Sequence, residues 1–225
     1  MDIDSLTYGQ PTKEDKDLMS RDLKFLPNIE SPERMIAMPF SNSSFETEDE
    51  LLSISFLPEE LSDNDIRVID EEDENFITNT FFRYLDNNNI DYNVDDVEET
   101  ALDVASLVMK AKYRFNRPRP NQLAEYHSID INPREGKSAD SPSYPSGHSA
   151  QATFLARMLG DQNPKHKVKL MELGESVGIN RLKGNFHYPS DHEAGVEFGK
   201  DLYDLYKTNK ASDIKVNKEK QTKYI

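Results

Sequence analysis

Three short stretches in the second half of this chain set cationic, imidazole and carboxylate side chains in an ordered series. They read Lys112-Tyr113-Arg114-Phe115-Asn116-Arg117-Pro118-Arg119-Pro120, then Pro145-Ser146-Gly147-His148, then Arg181-Leu182-Lys183-Gly184-Asn185-Phe186-His187-Tyr188-Pro189-Ser190-Asp191. These residue types suit a bound oxyanion. The guanidinium forks of Arg119 and Arg181 can each grip two phosphate oxygens, and Lys112 adds a point charge. Ser146 and the N–H of Gly147 stand where a helix would begin, a natural anion site, and Gly147 has no side chain to block close approach. Phosphoryl transfer asks chiefly for this kind of charge stabilisation, plus an in-line nucleophile and a proton donor for the leaving oxygen. His148, His187 and Asp191 supply candidates, although spacing alone does not say which imidazole attacks and which moves the proton.

The elements that must carry these residues are helical. Phe76, Ile77, Phe81, Phe82 and Leu85 recur at helical spacing behind the acidic run Asp70-Glu71-Glu72-Asp73-Glu74, which predicts one helix from Asp70 to Asp86 with a solvated, acidic first turn. Further helices are expected from Val94 to Tyr113, Ser146 to Gly160, His166 to Lys183 and Ser190 to Lys207. A loop rich in Pro and polar residues, Arg117 to Tyr144, precedes the helix that opens at Ser146. Alternating strand patterns are almost absent. The expectation is an all-α, compact single-domain helical bundle in three parts: an irregular acidic arm over residues 1–65, a helical core over 66–208, and a Lys-rich flexible tail over 209–225.

Helical phase then places four titratable side chains on core-facing stripes. Lys112 falls within Ala101, Val104, Ala105 and Val108, whereas Lys110 shares the opposite face with Asp103 and Ser106. His148 lines up with Ala152, Leu155 and Leu159, Arg181 with Leu170, Gly174 and Val177, and Asp191 with Ala194, Phe198 and Leu202. Burying such groups singly is costly, so they are expected to meet one another at one buried anion site. The same argument settles the register of the first stretch: Lys110-x6-Arg117 has the same spacing as Lys112-x6-Arg119, but only Lys112 faces inward. His127, His166 and His192 lie in loops or off the stripe and read as surface or packing residues. Tyr126, Arg134 and Lys137 fall in the intervening loop, where a substrate-selecting lid could lie.

In this order, K-x6-RP, PSGH and R-x5-H-x3-D resemble the signature of the phosphatidic acid phosphatase type 2 superfamily, which includes soluble class A acid phosphatases and vanadium-dependent haloperoxidases. The resemblance covers residues 112–191 by motif and fills every fixed position. It departs at Asn180, where the family usually has Ser. It implies a fold of the acid phosphatase and vanadium haloperoxidase type, with His187 as nucleophile forming a phosphohistidine and Asp191 holding its other ring nitrogen. His148 becomes general acid and then base, Lys112, Arg119, Ser146, Gly147 and Arg181 bind phosphate, and Arg117 supports them. No metal or other cofactor is implied. Vanadate, which mimics the phosphate of the transition state, would be an inhibitor in a phosphatase or a cofactor in a haloperoxidase. The expected activity is hydrolysis of phosphate monoesters, with transfer to alcohols as a further outlet. A non-catalytic phosphate-binding protein is the rival from outside enzymology.

Composition bounds the partners. The 225 residues include 42 acidic and 27 basic side chains, no cysteine and a net charge of -15. Residues 1–100 hold 27 of the acids and 7 of the bases, net -20, and the remainder is net +5. That balance argues against a nucleic-acid interface but leaves room for a small phosphorylated substrate in a cationic pocket. The lack of cysteine excludes a disulfide scaffold, and no apolar run reaches bilayer length. A cytoplasmic location is the expectation from an N-terminus without signal-peptide character, with a mature periplasmic or secreted form as the alternative. A homodimer or higher homo-oligomer is compatible with the sequence.

Overall fold

The computed structural model describes residues 2–57, 61–74, 76–134, 136 and 139–222, with residues 211–222 described by backbone alone. The elements are α1 (Lys13–Ser20), α2 (Phe45–Ser55), α3 (Asp63–Glu74), α4 (Thr78–Asn87), α5 (Val94–Phe115), the short α6 (Pro120–Leu123), α7 (Gly147–Gln162), α8 (Lys167–Lys183) and α9 (Pro189–Thr222), with 3-10 turns between them. No strand occurs among the described residues. The all-α expectation holds, and the helices that begin or end at the three motifs lie close to their expected bounds.

The central helix is α7. Ala150, Ala152, Phe154, Leu155, Ala156, Met158 and Leu159 are all buried, so it is enclosed on every side. It packs against α5, α8 and α9. Small residues set the two closest crossings: a Cβ on Gly174 would lie 2.8 Å from the Ala156 Cβ, and one on Gly195 would lie 2.5 Å from the Ser146 carbonyl oxygen. Around α7, Phe81, Leu85, Val104, Leu107, Val177, Phe198 and Leu202 complete the main core. A smaller core of Leu51, Leu123, Ala124 and Tyr188 seats α2 beside the start of α9.

The N-terminal arm covers what helical phase had marked as the polar face of α5. Asp103 and Ser106 are fully buried. Asp103 Oδ2 accepts the backbone N–H groups of Lys24, Phe25 and Leu26 at 2.9, 2.7 and 3.1 Å, so one carboxylate pins a bend of the arm to the helix. Farther along, Asn116 adopts the left-handed conformation (φ 53°) that ends α5, and its carboxamide exchanges hydrogen bonds with the backbone of Gly9. The helix after residue 189 runs in backbone to Thr222, past the Lys207 at which it was expected to stop.

One expected helix is two. The chain breaks between α3 and α4, so the acidic run closes α3 instead of opening a helix that continues to Asp86. The true start lies upstream at Ser62, whose hydroxyl accepts from the Asp65 N–H while Asp65 accepts from the Ser62 N–H. Carboxylates near a helix C-terminus oppose the helix dipole. Arg67 and Arg83 on Glu71, Arg134 on Asp70, and Arg181 on Glu72 and Asp73 offset that cost.

Because the Ser146 carbonyl lies where a Gly195 Cβ would go, Gly195→Ala is expected to force α7 and α9 apart at the site and to cost about 2 kcal/mol. Urea unfolding measures it; a loss within a few tenths of a kcal/mol would show the crossing to be adaptable.

Candidate active site

The last turn of α5 and the left-handed Asn116 deliver Lys112, Arg117 and Arg119 to one place, and all three are buried. Lys112 Nζ donates to the Pro142 carbonyl and, at 3.4 Å, to that of Ser143. Arg119 Nε donates to the Ser141 carbonyl at 2.8 Å, and its Nη1 donates to the Phe186 carbonyl at 2.7 Å while lying 3.2 Å from His187 Nε2. The loop before α7 therefore wraps two cations with its carbonyl oxygens and holds them against the histidine.

His187 is fixed from the other side. Its Nδ1 lies 3.1 Å from Asp191 Oδ2, one helical turn on. As an acceptor, the carboxylate assigns the proton to Nδ1 and leaves the Nε2 lone pair beside Arg119. Asp191 is itself gripped: Oδ2 accepts from the Tyr188 N–H at 3.0 Å and from the Ser143 hydroxyl, and Oδ1 accepts from Arg117 Nη1 at 2.7 Å. Arg117 in turn donates through Nη2 to Glu50 at 3.0 Å and stacks 3.9 Å above the Tyr188 ring. Glu50 also accepts from the N–H (2.5 Å) and hydroxyl (2.9 Å) of Ser190, capping α9 from a helix 140 residues away in sequence.

Ser146 is the N-cap of α7, its Oγ accepting from Ser149, and Gly147 approaches Lys112: a Cβ there would sit 3.7 Å from Lys112 Cε. His148 and Arg181 face the end of α3. Arg181 donates through Nη2 to the Ile69 carbonyl at 2.9 Å and to Glu72 at 3.4 Å, and through Nη1 to Asp73 at 3.3 Å. His148 Nε2 lies 3.4 Å from the Glu72 carbonyl oxygen, and Asn180 donates to the Glu72 carboxylate at 3.0 Å. Thus the acidic run is not a solvated helix start: Glu72 and Asp73 are buried against a guanidinium that the sequence had assigned to an anion. Arg181 Nε has no partner among the described residues.

The electrostatics follow from burial and neighbours. Burial alone would push the Asp191 carboxyl up, but Arg117, His187 and Ser143 outweigh it and hold it below the ordinary value. Desolvation, then the Arg119 charge, keeps His187 well below an ordinary imidazole despite Asp191. His148 is pulled down to about 3, first by burial and then by Arg181. Arg119 falls to about 10 through burial and stays charged at neutral pH. Burial raises Glu72 in spite of Asn180 and Arg181.

The structure thus brings Lys112, Arg119, His187, Asp191, Ser146 and Gly147 together, and sets His148 and Arg181 beside them under α3. Sequence reading missed Glu50, Glu72, Asp73 and Ser143. A buried Arg117 called for a carboxylate partner, but nothing in the sequence says which of 42 acids that is. His127 bonds the Asn42 carbonyl, His166 the Tyr84 hydroxyl and His192 the Ser149 hydroxyl. In the loop, Arg134 pairs with Asp70 and Tyr126 is exposed, while Lys137 lies outside the described residues.

Fold and site define an all-helical domain whose helix ends converge on a buried His–Asp pair ringed by cations. Residues 100–200, which hold all eight predicted site residues, match the model of the PAP2 superfamily. Similar curated proteins include a non-specific acid phosphatase from Providencia stuartii, 33% identical over 97 residues covering 43% of this chain and 38% of that protein. A lipid A 1-phosphatase from Rhizobium johnstonii is 31% identical, with the same two shares. An acid phosphatase from Zymomonas mobilis is 31% identical over 38% of this chain and 32% of that protein. The matches therefore span about two fifths or less of those relatives. Among solved structures, a bacterial vanadium-dependent iodoperoxidase superposes with a TM-score of 0.61 at 18% identity, covering 92% of this chain and 61% of that one, which shows a shared fold. No helix among the described residues is long and apolar enough to cross a membrane.

Removing the Glu50 carboxylate leaves Arg117 with one buried carboxylate partner instead of two, so Glu50→Ala should lower unfolding stability by about 3 kcal/mol; an unchanged urea midpoint would show that Asp191 is the only carboxylate Arg117 needs. The depressed histidines set a pH dependence. Below an unfolded value near 6.5 the unfolded chain takes up protons that folded His148 and His187 refuse, so stability is fully present above about pH 6.5 and falls by about 1 kcal/mol per pH unit per imidazole below it. Glu72, raised, acts in the opposite sense as one group against two. Urea midpoints at about pH 7 and pH 5 should show the drop, and His148→Gln should flatten it.

Proposed function

We propose that the protein is a phosphatase acting on phosphate monoesters through a phosphohistidine at His187, without a metal ion. The observation that carries this reading is the state of His187: Asp191 accepts the Nδ1–H hydrogen bond, so the Nε2 lone pair faces Arg119, with Lys112 held by the same loop. A phosphoryl group between them would present its oxygens to Arg119, Lys112, Arg181 and the start of α7. The Nε2 lone pair attacks phosphorus, the bond from phosphorus to the leaving oxygen breaks, and that oxygen takes a proton from His148. His148 then removes a proton from water, the hydroxide oxygen bonds to phosphorus, and the P–N bond breaks to release phosphate and regenerate the imidazole. An alcohol in place of water would give phosphotransfer. The 33% and 31% identity to proteins called acid phosphatases supports the same reaction class.

Protonated His148 is required for the first step, yet in the ligand-free site it is held near 3. An arriving dianion offsets the Arg181 and Lys112 charges that depress it, so substrate binding and proton uptake are coupled. The same cations and imidazole suit tetrahedral vanadate, which would compete with phosphate. Bound vanadate could also support halide oxidation by peroxide, the outcome that would move the reading to a haloperoxidase.

His187→Ala is expected to abolish release of phosphate from 4-nitrophenyl phosphate and to eliminate the acid-labile, base-stable phosphoenzyme that quenched wild type should show. Asp191→Asn should lower kcat by at least about 100-fold, the scale of a lost tautomer-fixing group. EDTA should leave the rate unchanged. Hydrolysis surviving in His187→Ala would remove the nucleophile assignment, and halide oxidation without ester hydrolysis would overturn the phosphatase.

A further inference from the structure

The end of α3 divides two cavities. The larger, about 850 Å³, is lined by Asp70, Asn132, Arg134, Gly136 and Asp140 among others and touches none of the eight predicted site residues. The second, about 550 Å³, has His148 in its wall. Its other walls come from α1, the turn between α3 and α4, and α5. Leu18, Phe76, Ile77, Ala101 and Leu102 make them apolar, and Asp73, Glu74 and Glu98 are its charged lining residues. Among the described residues no Lys or Arg lines it. Phe76 and Leu102 are 74% and 37% exposed, so large apolar side chains stand open at a space that ends on an imidazole.

We propose that this cavity receives the leaving group, and that the substrate is a phosphate monoester of an apolar alcohol carrying no second negative charge. The inference rests on the phosphatase reading: the oxygen that His148 protonates must lie against its ring, so the carbon chain on that oxygen extends into the space His148 lines. Apolar walls favour an alkyl or aryl group there by the area removed from water. A carboxylate or second phosphate on that group would meet Glu74 and Glu98, with Asp73 already paired to Arg181 and no Lys or Arg among the described lining residues, which disfavours nucleotides with further phosphates, sugar bisphosphates and phosphorylated acids.

Hydrolysis of benzyl phosphate and 4-carboxybenzyl phosphate by the full chain tests this, since the methylene keeps the two leaving oxygens chemically alike. Benzyl phosphate is expected to have the higher kcat/KM by about tenfold, and Glu98→Lys to narrow that ratio by about fivefold, the scale of one exposed charge interaction. Leu102→Asp, at a part-exposed position, should lower kcat/KM for the benzyl ester. Equal kcat/KM for the two esters, or a ratio that neither variant moves, overturns the pocket while leaving the phosphatase in place. Calorimetric binding of benzylphosphonate against methylphosphonate reads the pocket without turnover: tighter benzylphosphonate with no ester hydrolysed would sink the phosphatase and keep the pocket, whereas equal binding would sink the pocket.

Discussion

Everything in the site hangs on one buried carboxylate. Asp191 is wholly enclosed, and it accepts from His187, Tyr188, Ser143 and Arg117, which come from the start of α9, the loop before α7 and the segment after α5. Its backbone carbonyl also receives the Ser146 N–H, which fixes the N-cap of α7. A buried charge of this kind is tolerated only when its lone pairs are filled. Satisfying Asp191 therefore forces the three motif segments into one arrangement, and the tautomer of His187 follows from it.

Cations bring the reverse demand, and the acidic half of the chain meets it. The first hundred residues, net -20, do not merely form a solvated surface. Glu50 holds Arg117, Glu72 and Asp73 hold Arg181, Asp70 holds Arg134, and Asp65 holds Lys183. Two of these pairings are almost fully enclosed, where breaking one partner costs far more than at the surface. The arm and α3 are thus part of the site's electrostatic construction: they neutralise guanidinium groups that would otherwise repel one another. Arg181 in particular is already engaged by Glu72 and Asp73 of α3.

Periodicity made much of this legible. The α5, α7 and α8 spans, the inward direction of Lys112 over Lys110, and the burial of Arg181 and Asp191 all follow from one apolar stripe per helix, since a helix fixes direction over long runs, whereas Arg119 and His187 lie outside those helices and were marked by the motifs alone. Reading failed at residues 70–86. Phe76 and Ile77 fall in phase with Phe81 and Leu85, so the pattern looks continuous although the backbone turns there, leaving Phe76 exposed. An acidic run is an ordinary helix opening by the dipole rule, and only long-range arginines make it an acceptable ending. Equally, the polar face of α5 carried no sign that three backbone N–H groups of the arm would cover it.

The sequence by itself determined the helical class, the ordered motif residues and the chemistry open to them, because residue type and helical phase are local properties. Tertiary structure alone decided which carboxylate answers which cation, that α3 closes over His148 and Arg181, and that an apolar cavity opens on His148. The physical reason is distance along the chain. Ion pairs such as Glu50 with Arg117 and Glu72 with Arg181 join segments 67 and 109 residues apart, and their selection depends on burial, which exists only once the helices have packed.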